Sequence, residues 1–112
     1  MKKFKYRLPR FSVHLPVQFS VQDSVLTGHC TEIGKDGMTV DLNQPPALRT
    51  RGMVSVSHLD WTIELKARVA HVEATHAGLA FIYKSESERD VVAGFVASLA
   101  KSQHRTGPVL LS

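Results

Sequence analysis

The chain has 112 residues, 43% of them hydrophobic and 21% charged, with a formal net charge of +4. That length suits one domain with its own core, and the composition is not that of a disordered chain. No apolar run reaches the roughly 18 residues that span a bilayer, and the basic N-terminus lacks the apolar stretch of a secretory signal. The single cysteine, Cys30, excludes an internal disulfide and suits a reducing compartment. A cytoplasmic location is expected, with Cys30 a buried structural thiol.

The charge is unevenly placed. Lys2, Lys3, Lys5, Arg7 and Arg10 all precede the first acid, Asp23. Beyond them, nine basic side chains nearly balance ten acidic ones. Residues 1–10 therefore read as a flexible basic arm, either a solubilising terminus or a segment seeking an anionic partner.

From Phe11 to Val21 the apolar residues occupy every odd position, which predicts a strand with that face on a core. Pro16 removes one donor, so the strand is bent or unpaired there. Further strands are expected over 26–33 and 37–42, joined by the glycine- and aspartate-containing reversal "GKDG". Pro45-Pro46 marks a loop, and strands follow over 53–59 and 61–72, then at "GLAFIY". Six short strands without intervening helices predict an all-β fold over residues 11–84, an antiparallel barrel or sandwich. Ser85 and Glu88 have capping-box spacing. Val91, Val92, Phe95, Val96 and Leu99 then form an apolar stripe, so a helix over 85–102 is expected to dock on the barrel. Residues 103–112 read as a frayed tail.

Enzyme chemistry finds no support. The six histidines lack a completing cysteine or carboxylate set, which gives no metal site. No nucleophile elbow, phosphate loop or dinucleotide fingerprint occurs. No strand interleaves aromatic and basic residues as a base-stacking surface would, so no specific nucleic acid is expected.

The segments "YRLPRFSVHLPVQF", "EIGKDGMTV" and "GLAFI" occur in the order and spacing of the PilZ domain, which the chain resembles over roughly residues 5–100. The resemblance implies a six-stranded antiparallel β-barrel with one C-terminal α-helix. It also implies a ligand, the bacterial second messenger cyclic di-GMP, and no cofactor. The family holds that ligand with Arg-x-x-x-Arg before the first strand and Asp/Asn-x-Ser-x-x-Gly at the second reversal. Arginine's planar fork suits phosphate and the Hoogsteen edge of guanine. Here Arg10 takes the second arginine's place, and Tyr6 stands in for the first, with Arg7 beside it. Glu32 replaces Asp/Asn, Gly34 replaces the serine, and Gly37 matches. The implied ligand residues are thus Arg7, Arg10, Glu32, Gly34 and Gly37, with Tyr6 a stacking platform for guanine. Without compensation by Arg7, the changed positions cost about 2–4.5 kcal/mol, a weakening of roughly 30- to 2,000-fold. The expected function is that of a standalone cyclic di-GMP effector or adaptor of lowered affinity, acting through a downstream protein partner. The alternative is a protein-interaction adaptor that no longer binds the nucleotide, as in surface motility or pilus function.

Overall fold

The structure, a computed structural model, describes the backbone of residues 10–111 and the side chains of residues 10–101. Strands β1 (Arg10–Val21), β2 (Ser24–Gly34), β3 (Gly37–Leu42), β4 (Arg51–His58), β5 (Trp61–Glu73) and β6 (His76–Ile82) precede one helix, α1 (Glu86–Leu111). The strands close into an antiparallel barrel in the order β1-β2-β3-β6-β5-β4. Closure gives each described strand two neighbours and so removes the open edge on which further chains add.

The alternation of β1 turns Leu15, Val17 and Phe19 into the core. Pairing with β4 covers only Val17 to Ser20, so Pro16 stands where that ladder has not begun. This is the interruption that its missing N–H leads one to expect. Ile33, Met38, Val40, Val54, Val56, Leu65, Val69 and Leu79 fill the rest of the barrel. Val92, Phe95, Val96 and Leu99 of α1 join the same core. Val91 belongs to the predicted stripe but is 51% exposed. One residue is a 100° rotation on a helix, and the faces of 92, 95, 96 and 99 leave Val91 outside.

Ser85 caps α1 as expected: its Oγ accepts the Glu88 N–H at 3.1 Å, while the Glu88 carboxylate accepts the Lys84 N–H at 2.9 Å. The helical backbone continues to Leu111, past the boundary expected at residue 102 and through the predicted tail. At the other end, Arg10 is no part of a loose arm. It lies within β1 and opposes Gly34 of β2.

Two register shifts bend the wall beside this junction, one in β1/β2 between Ser12 and Leu15, the other in β2/β3 between Cys30 and Glu32. Such bulges increase local twist and re-aim side chains. The β2–β3 hairpin turns at Lys35-Asp36. No described glycine has positive φ, so Gly34 and Gly37 do not supply a left-handed turn conformation. Gly37 is needed for space. A Cβ on it would overlap the Leu79 carbonyl oxygen and stand 3.2 Å from Arg10 Nη2.

Candidate functional site

The outward positions of β1, β2, β3, β6 and β5 form rows across one flank of the barrel. Arg10 opposes Gly34, and Gly37 opposes Ala80, so the first row has a floor of small residues. The second row runs Ser12, Glu32, Thr39, Gly78 and His71. There the His71 ring lies over Gly78, where any side chain would collide with it. A floor of glycine and alanine lets a planar group approach the backbone closely.

Arg10 lies across that floor. Its Nε donates to Asp36 Oδ1 at 3.3 Å, and its Nη1 donates to Thr39 Oγ1 at 3.4 Å. Its side chain is 17% exposed and that of Asp36 38%. A guanidinium carries five N–H donors, of which these contacts use two. Thr39 is itself tied in, its carbonyl accepting from Thr31 Oγ1 at 3.3 Å.

The hairpin tip is held from the far side as well. The Asp36 carbonyl accepts the Phe81 N–H at 3.0 Å. The Tyr83 hydroxyl donates to the Lys35 carbonyl. Burial pushes the Tyr83 phenol up to about 12, so it keeps the proton that this bond requires. The Arg89 guanidinium packs over the Tyr83 ring, 4.8 Å from its centroid, and joins the tip to α1. Beneath the site, burial pushes the Cys30 thiol up to about 12, and the thiol donates to the Glu32 carbonyl at 3.2 Å. A thiol so protonated is inert, as expected of a structural cysteine.

Of the residues implied by sequence, Arg10, Gly34 and Gly37 are brought together, and Glu32 stands one row further on with an exposed side chain. Arg7 and Tyr6 lie outside the described residues. Asp36, Thr39 and Tyr83 are partners that sequence reasoning did not assign. Asp36 was visible as the one acid of the reversal, but nothing local pairs it with Arg10. Tyr83 carried no signal. Elsewhere on the surface, His14 stacks on His29 at 4.3 Å, and His76 Nε2 lies 3.8 Å from Asp41 Oδ2. Among the described residues no three His, Cys, Asp or Glu side chains gather as a metal set would. Nor, among them, is any helix long and apolar enough to cross a membrane.

The PilZ domain model matches residues 5–98. No curated protein sequence matches the chain. Among solved structures, the PilZ domain of CeSA from a cellulose-synthesizing bacterium superimposes with a TM-score of 0.74 at 17% identity. That alignment covers 82% of this chain and 98% of the other. An uncharacterized Legionella protein aligns with a TM-score of 0.64 at 18% identity, over 86% of this chain and 98% of its own. At such identities the superpositions speak for the barrel and its closing helix, while the sequence model covers most of the chain's length. Together they place this chain in the PilZ domain family, whose members serve as cyclic di-GMP receptors and adaptors.

Proposed function

We propose that this protein is a cyclic di-GMP-binding effector of bacterial second-messenger signalling, acting in the cytoplasm through a protein partner rather than as an enzyme. The observation that carries this reading is Arg10, held by Asp36 and Thr39 beside the Gly34–Gly37 hairpin, with its Nη2 close over Gly37. A phosphodiester suits a guanidinium, and a guanine ring suits a flat platform. Arg7, Glu32 and Tyr6 complete the proposed ligand set. The test is an amide NMR titration with cyclic di-GMP. Saturable shifts centred on Gly34, Gly37 and Thr39, with none at the Trp61 indole, are expected. No shifts at millimolar ligand would overturn the reading.

One observation favours the alternative, an adaptor that works without the nucleotide. Around the β4–β5 reversal Leu59 is 85% exposed and Trp61 39% exposed, the latter edge-on to Phe95 of α1 at 5.5 Å. Apolar residues displayed beside a helix suit a protein partner. A folded protein that is silent to cyclic di-GMP would favour this second reading.

A further inference from the structure

We propose that Asp36 is a built-in competitor for the anionic ligand, an internal carboxylate occupying the Arg10 edge that a phosphate oxygen would take. This rests on the cyclic di-GMP reading and adds a residue outside the implied ligand set.

The contact is built to be exchanged. Asp36 reaches Arg10 through a single hydrogen bond, Oδ1 to Nε at 3.3 Å, longer than charge-assisted bonds usually are. The Asp36 carboxylate is more than a third exposed, so water screens the pair and rehydrates the carboxylate when it leaves. Its backbone, in contrast, is fixed by the Phe81 N–H at 3.0 Å. The side chain can therefore swing off Arg10 while the hairpin keeps its shape. Arg10 keeps a second anchor, Nη1 on Thr39 Oγ1, which holds the guanidinium over the glycine floor after Asp36 leaves.

A phosphodiester arriving on Nε meets Asp36 twice, as a rival acceptor on the same edge and as a negative charge beside its own. Both effects lower affinity. The empty site meanwhile keeps Arg10 paired rather than leaving a half-buried cation alone. Asp36 thus sets the ligand concentration at which the site fills. Thr39, a neutral acceptor on the same arginine, imposes no such penalty.

The experiment is calorimetric titration with cyclic di-GMP of the full chain, of Asp36→Asn and of Thr39→Val, each checked for fold by circular dichroism. Asn keeps the size of Asp and loses only the charge. Asp36→Asn is expected to bind roughly 3- to 10-fold more tightly, with the gain shrinking as salt is raised. Thr39→Val, which frees the anchored end of Arg10, is expected to bind more weakly. Equal or weaker binding by Asp36→Asn, with the parent binding, would overturn this proposal and leave the cyclic di-GMP reading standing. Folded proteins none of which binds would overturn both.

Discussion

Two reversals of this barrel show how differently one fold can use a tight turn. The Lys35-Asp36 turn is held by Arg10 of β1, by the Phe81 N–H of β6 and by Tyr83, itself packed on Arg89 of α1. The turn at Leu59 and Asp60 bears a side chain 85% exposed on a residue with φ of 57°. Left-handed backbone at a branched residue costs about 1–2 kcal/mol, and Leu59 tolerates it without glycine. The first turn contains glycines that adopt no left-handed conformation; the second needs one and has none. Gly37 marks where a neighbouring strand comes close, not where the chain must bend.

The largest expected effect comes from filling that space. Gly37→Ala puts a Cβ into the Leu79 carbonyl and should destabilise the barrel by about 1–3 kcal/mol, read by denaturant unfolding. An unchanged midpoint would show that the flank is soft. Alkaline pH tests the layer beneath. Cys30 is raised from 9.0 to about 12 in the fold, so the unfolded chain loses this proton first. Stability should hold below about pH 9 and fall as pH rises toward 12, with Tyr83 adding to the fall above pH 10. Cys30→Ala should flatten the lower part of that fall, and an unaltered pH profile would show that the thiol does not contribute to it.

Tyr83→Phe isolates the tether between the first turn and the helix. It should cost about 1 kcal/mol and speed hydrogen exchange at the hairpin tip. Equal exchange in both proteins would cut that link. The smallest effect belongs to the second turn. Leu59→Gly should stabilise by roughly 0.5–1 kcal/mol, opposite in sign to the change at Gly37.

What the sequence disclosed follows the range of the forces involved. Alternation from Phe11 to Val21 and the Ser85–Glu88 cap are local patterns, and both are found where expected. The PilZ resemblance supplied the barrel, which local alternation leaves open between barrel and sandwich. The Arg10–Asp36 pair joins residues 26 apart and exists only because β1 pairs with β2 and β2 turns into β3. The bulges near Ser12 and Cys30 shift the register by one residue, which alternation alone does not reveal. Charge alone groups Arg10 with the basic residues that precede it, but its backbone pairs with Gly34 in the barrel. The adjacent valines at 91 and 92 hide which member faces in, and the core takes Val92.

Arg10 beside the Gly34–Gly37 hairpin is the proposed anchor for cyclic di-GMP. Isothermal titration of the full chain and of Arg10→Ala tests it most directly. Saturable binding by the parent and a loss of roughly 10-fold or more in the variant, with both proteins folded, are expected. Binding that survives Arg10→Ala unchanged would place the ligand elsewhere. No heat from the folded parent at high ligand concentration would show that the protein does not bind this nucleotide.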